Sequence, residues 1–269
     1  MISIVAGKFA LFPSRSTRYG GLTSPVQAKS EAPGSLNRAI LCYFIGCLFA
    51  AFSLASVNQA HASMAVSKAI VHFEPGKSTR EDVMISNKDS EPLYVKVEII
   101  EIKNPGMDNE VRAVVKNPKQ SRFLVTPNKL VVPPGGRKAV RLVNLAPNLD
   151  KERVFRVNLT PVAVDEEAEQ STVKVLVAYQ LLVLMQPQSP KADLVSKREG
   201  NKLILENKGN SNALLRSGLL CAKPDDQSSC TELPTKRLYA GNKWELDLEK
   251  SGSVSYIKAT GLQNERVSF

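Results

Sequence analysis

From Ser171 to Pro187 the chain reads S-T-V-K-V-L-V-A-Y-Q-L-L-V-L-M-Q-P, and its apolar positions change rhythm half-way. Val173, Val175, Val177 and Tyr179 recur at two-residue spacing, so in an extended chain they share one face while Lys174 and Leu176 take the other. Leu181 to Met185 is apolar on both faces, as expected where a strand runs from a partly open edge into a covered core. The pattern predicts a strand with a chosen side. An ordinary sandwich strand accounts for it; the sharper reading is that the valine face is offered to another protein.

Upstream, from Met64, short β-rich runs alternate with turn clusters, and no stretch carries a helical period with caps. Strands are expected over Ala65 to Phe73, Arg80 to Asn87, Leu93 to Ile102, Phe123 to Thr126, Lys129 to Val132, Arg137 to Asn144, Arg153 to Val162 and Thr172 to Met185. Turn chemistry separates them, as in E-P-G-K at Glu74, N-P-G-M-D-N at Asn104 and P-P-G-G at Pro133. Roughly seven to nine short strands in such a span describe an immunoglobulin-like sandwich. After the proline-bearing joint Gln186 to Pro190 a second β pattern begins, with strands expected over Lys202 to Asn207, Ala213 to Cys221, Lys236 to Tyr239, Lys243 to Leu248 and Val254 to Ala259. The expected fold class is therefore all-β, two immunoglobulin-like sandwiches, divided as 63–187 and 188–269. Val164 to Gln170 is acidic and reads as a loop.

The first 62 residues belong to neither sandwich. Arg38 is followed by an apolar run and then by A-H-A at Ala60, His61 and Ala62, the layout of a secretory signal peptide cut after Ala62. A retained membrane anchor is the rival reading, because the run is about long enough to span a bilayer. Residues 1–36 are polar and Ser/Gly/Pro-rich, either an over-extended start or an unusual leading region. Removing 1–62 takes away Lys8, Arg15, Arg18, Lys29, Arg38 and Glu31, so a net charge of +10 falls to about +6. That surface suits acidic partners only weakly, and nothing interleaves aromatic with basic residues as nucleic-acid binding would ask.

Export changes the meaning of the cysteines. Cys42 and Cys47 leave with the leader, while Cys221 and Cys230 flank a polar turn and are well placed to cross-link a hairpin in an oxidising space; two free thiols are the alternative. Catalysis is not indicated. His72 is the one histidine after the leader, and no nucleophile elbow, phosphate-binding loop, dinucleotide fingerprint or His/Cys metal cluster appears. No cofactor, metal or small-molecule substrate is expected.

The run Leu124 to Leu142, L-V-T-P-N-K-L-V-V-P-P-G-G-R-K-A-V-R-L, followed by E-R-V-F-R-V-N-L at Glu152 to Leu159 and by the strand ending at Pro187, resembles the periplasmic chaperones of chaperone/usher pilus assembly. G-N-S-N-A at Gly209 and the Cys221/Cys230 turn resemble the alternative branch that includes the common pilus chaperones. The resemblance implies two immunoglobulin-like domains set in an L, in the periplasm. It implies pilus subunits and an outer-membrane usher as partners, and it leaves room for a self-capping dimer. By donor-strand complementation Val173, Val175 and Val177, with Tyr179 as a fourth, would fill the open groove of an incomplete subunit. It further implies an ion pair between Arg141 and Glu152 near the domain joint. The two cations with which family members hold a subunit's C-terminal carboxylate align here with Ile70 or Val71 and with Leu182; Lys68 is the candidate substitute, with His72 behind it. A structural surface protein, such as a pilus subunit or adhesin domain, is the second reading.

Overall fold

The computed structural model describes residues 64–146, 148–162, 176–223 and 226–269. The first sandwich contains β1 (Met64–Val66), β2 (Ile70–Phe73), β3 (Arg80–Asn87), β4 (Leu93–Lys103), β5 (Val111–Val114), a one-turn helix α1 (Pro118–Ser121), β6 (Phe123–Thr126), β7 (Lys129–Val132), β8 (Arg137–Asn144), β9 (Arg153–Pro161) and β10 (Tyr179–Met185). One sheet runs β1-β3-β8-β6; the facing sheet runs β2-β10-β9-β4-β5, with β7 also on β4.

Alternation along these strands builds the core. Val71 and Phe73, Val83 and Ile85, Val95 and Val97, Val140 and Leu142, Phe155 and Val157, and Leu181, Val183 and Met185 point inward from their strands and are buried together. Phe123 lies between Phe73 and Phe155, with ring centroids 6.4 and 4.7 Å away. The stretch Ala65 to Phe73, expected as one strand, is two. Around Ser67 to Ala69 the chain leaves β3 and crosses to the facing sheet, where β2 pairs in parallel with β10. Ser67 marks the crossing: its N–H donates to Met84 O at 3.0 Å, and its hydroxyl accepts from Met84 N–H at 3.0 Å.

The second sandwich follows in β11 (Leu194–Glu199), β12 (Lys202–Asn207), β13 (Ala213–Cys221), β14 (Cys230–Leu233), β15 (Lys236–Leu238), β16 (Lys243–Asp247), β17 (Ser253–Thr260) and β18 (Gln263–Ser268). Its sheets run β11-β12-β16 and β14-β13-β17-β18. Leu203, Leu205, Leu215, Leu220, Val254 and Tyr256 form the core, and Trp244 packs on Tyr256 edge to face at 6.2 Å. Burial pushes the Tyr256 hydroxyl up to about 12. Cys221 and Cys230 sit opposite each other on β13 and β14 and are disulfide-bonded, so the hairpin cross-link is present.

Both sandwiches plug the end of one strand with an asparagine. Asn87 closes β3 by donating to Glu91 O and Val132 O while accepting from Asp89 N–H. Asn207 closes β12 in the same way, donating to Ser211 O and Leu238 O and accepting from Gly209 N–H. Each side chain thus replaces backbone partners that the turning chain has lost.

Candidate functional site

Because β2, β10, β9, β4 and β5 lie in register, their outward side chains form rows across the sheet. One row is Ile70, Leu182, Arg156, Ile100 and Val114; the next is His72, Leu184, Val154, Ile102 and Arg112. Leu182, Leu184, Val154 and Ile102 form a small core of their own, separate from the sandwich interior, with Tyr239 of the second sandwich packed on it. This is the floor of a cleft between the sandwiches. Ile70 and Val114 remain exposed at its two ends.

The cleft closes at three corners, each made of polar groups. Glu74 accepts from Leu262 N–H at 3.0 Å. Asn242 Nδ2 donates to Pro105 O at 2.9 Å, and Met107 lies against Gly241. At the third corner Glu152 Oε2 accepts from Asn212 Nδ2 at 2.7 Å and from Ser211 Oγ at 2.9 Å, while Asn210 O accepts from Glu152 N–H. Gly261 must be glycine: its φ is +61°, and a Cβ there would collide with the Gln186 amide and the Glu74 carboxylate.

Burial dominates the electrostatics of this joint. It pushes the Glu152 carboxyl above the usual carboxylate range, against the opposing hydrogen bonds from Asn212 and Ser211 and the charge of Arg237. Burial and the nearby Arg237 both hold His72 below its ordinary value, with Glu74 opposing. Arg156 stands apart: among the described residues its guanidinium has no hydrogen-bond or ion-pair partner, yet it lies in the electrostatic neighbourhood of Arg237, Tyr239 and Glu110. Motif matching missed it. The alternation of Phe155, Arg156 and Val157 does mark it as the cation turned outward from a core strand.

Several expected site residues can now be placed. Arg141 and Glu152 are not paired. On β8 Val140 and Leu142 turn inward, so Arg141 turns out to solvent and makes a two-pronged ion pair with Asp82 at 2.8 Å, directly opposite on β3. The ion pair that is partly buried in the first sandwich is instead Arg153 with Glu101 at 2.6 Å, with the guanidinium 4.9 Å over the Phe155 ring. Lys68 is bound to Glu81 at 2.5 Å. His72 lies on the cleft face, opposite Leu184.

Val173 and Val175 lie outside the described residues. Val177 belongs to no strand and is 36% exposed, beside Leu176 at 37%. Tyr179 opens β10, packs against the first core and donates its hydroxyl to Met64 O at 3.0 Å. Its parity matches Leu181, Val183 and Met185, so Val177 and Tyr179 continue the core-facing side of the strand. Among the described residues β2 meets β10 only from Leu182 onward, which leaves the edge of Tyr179 to Leu181 open on that side. At the far end of β4 an apolar groove of about 880 Å³ is lined by Tyr94, Pro127, Leu130, Val131 and Val162 and rimmed by Lys96, Lys129 and Lys138. Among the described residues no His, Cys, Asp and Glu cluster could hold a metal ion.

Two sandwiches joined across an apolar cleft with polar corners, with a half-open strand beside it, define a two-domain immunoglobulin-like protein of the PapD fold. Residues 63–191, which make up the first sandwich, match the family of pili and flagellar-assembly chaperones, PapD N-terminal domain, and that sandwich belongs to it. Among curated proteins the chain is similar to a fimbrial subunit of CFA/I from Escherichia coli, at 24% identity over 84% of this chain and 95% of that one. It is also similar to a fimbrial subunit of CS1 from Escherichia coli, at 26% identity over 64% and 76%. Among solved structures it resembles the class 5 fimbriae chaperone CfaA, with a TM-score of 0.61 and 23% identity over 77% of this chain and 97% of that one. A protein of the chaperone–tip adhesin complex of CFA/I fimbriae gives a TM-score of 0.57 at 22% identity, over 77% and 98%.

Proposed function

We propose that this periplasmic chaperone caps fimbrial subunits by lending them the strand that precedes β10, and then delivers them to an outer-membrane usher. The observation that carries the reading is the edge of Tyr179 to Leu181, left unpaired by β2 among the described residues and preceded in the sequence by apolar residues at two-residue spacing, Val177, Val175 and Val173. An incomplete subunit sandwich would pair its backbone with this segment, and the valines would enter its groove. At about 25 cal/mol per Å², three such side chains contribute several kcal/mol before ordering costs. With Lys68 held by Glu81, we assign any carboxylate contact in the cleft to Arg156, which lies in one row with Leu182 and Ile70. We place the leader cut after Ala62 and the domain division at 187/188.

Co-expression with the exported β-rich proteins encoded beside this chain, followed by pull-down from periplasm, tests the reading. A small β-rich protein should co-purify stoichiometrically, and Val175→Lys should abolish that while the fold persists, because an unpaired edge tolerates charge. Recovery of no such protein by the wild-type chain would sink the proposal. The names of the two curated relatives favour a second reading, that the chain is itself a fimbrial subunit. Against it stands a first sandwich that carries its own closing strand, β10, with a second sandwich attached.

A further inference from the structure

We propose that Arg237 is a positioning residue that sets the cleft through an amide relay, without touching the carboxylate it balances. Asn212, fully buried, stands between them. Its Oδ1 accepts from Arg237 Nη1, and its Nδ2 donates to Glu152 Oε2 at 2.7 Å. A carboxamide can sit either way round, but a guanidinium only donates, so Arg237 forces the oxygen toward itself and the N–H toward Glu152. Turned over, the amide would set oxygen against carboxylate. Arg237 and Asn212 belong to the second sandwich, and Glu152 leads into β9 of the first. One positive and one negative charge are thus joined across the buried joint by an oriented dipole, with Ser211 Oγ as a second donor to the carboxylate.

The relay has a consequence for the cleft, and this step rests on the subunit-capture reading. Arg156 lies in the electrostatic neighbourhood of Arg237. Since the charge of Arg237 is answered through Asn212 by Glu152, Arg156 is the cation left for a partner's carboxylate.

The test exchanges the amide and the acid. Asn212→Asp places a second carboxylate within hydrogen-bond distance of Glu152, and two carboxylates in contact must hold a proton between them. Combining Asn212→Asp with Glu152→Gln restores one amide, one acid and the same donors in reversed order. Residual dipolar couplings of the free chain report how the sandwiches are oriented. Affinity for the subunit co-purified with the wild-type chain reports capture. At pH 7.5 the single variant should lose the wild-type couplings and bind at least about 10-fold more weakly, equivalent to roughly 1.4 kcal/mol. Both should recover as acid supplies the shared proton, and the exchanged pair should behave as wild type at pH 7.5. Wild-type couplings in the single variant at pH 7.5, or an exchanged pair no better than the single variant, would overturn the relay. A wild-type chain that captures nothing counts against the capture reading alone, because the couplings need no partner.

Discussion

The first sandwich fills its centre with three phenyl rings, Phe73, Phe123 and Phe155, and carries no cross-link among its described residues. The second has a leaner core of leucines around Tyr256 and Trp244, and it ties β13 to β14 with the Cys221–Cys230 disulfide. Both use the same asparagine plug, at Asn87 and Asn207, so the difference lies in how each core is held rather than in how its turns are satisfied. The contrast fits their tasks. On the capping reading proposed above, a sandwich that keeps one strand edge unpaired gains from a deep aromatic centre, because ring burial holds the core without that edge's pairing. A small sandwich whose work is to support the cleft gains from a covalent tie.

Phe123→Ala should strike this contrast hardest. The ring is fully buried between two others, and its removal should cost about 3–5 kcal/mol, read as a fall in the denaturation midpoint of the first sandwich. If hydrogen exchange showed β12 and β16 opening as much as β3 and β8, the two cores would be one cooperative unit. Replacing both cysteines, Cys221→Ser with Cys230→Ser, should cost roughly 2–3 kcal/mol, confined to the second sandwich. An equal loss of protection in β3 and β8 would remove the distinction between ring-held and disulfide-held cores.

The smallest effect concerns pH and belongs to the joint that both sandwiches share. Burial raises the Glu152 carboxyl in the folded protein, so this group adds stability that is present at acid pH and lost as pH rises through its raised folded value. Glu152→Gln should remove that decline, so the stability gap between variant and wild type should widen in the variant's favour from about pH 4.5 upward. A constant gap across that range would mean that the carboxyl is not held above its ordinary value.

Strands with an inward face were legible in the sequence. Phe123 to Thr126, Lys129 to Val132 and Arg137 to Asn144 fall where alternation puts them, because each buries every second residue. The strands β5, β11, β14 and β18 were not. L-V-S-K-R-E and Q-N-E-R-V-S are almost wholly exposed, and backbone pairing holds them at sheet edges without any apolar rhythm. The site divides along similar lines. The open edge at Tyr179 follows from the change of rhythm at that residue. The Arg141–Glu152 pairing came from positions in a motif, and the outward parity of Arg141 overrides it. No local signal announces the Glu152, Asn212 and Arg237 relay, since its members are brought together only when the second sandwich docks.

The crossing at Ser67 to Ala69 also sets an order of assembly. Among the described residues β2 pairs only with β10, so residues 70–73 must wait for residues 182–185 to arrive, whereas the second sandwich draws its pairings from within residues 194–268. A chain delivered amino end first therefore adds about 110 residues with β2 unpaired, and such long-range closure is slow. For that interval the chaperone is itself an unfinished sandwich with an exposed edge, the condition we propose it relieves in its partners.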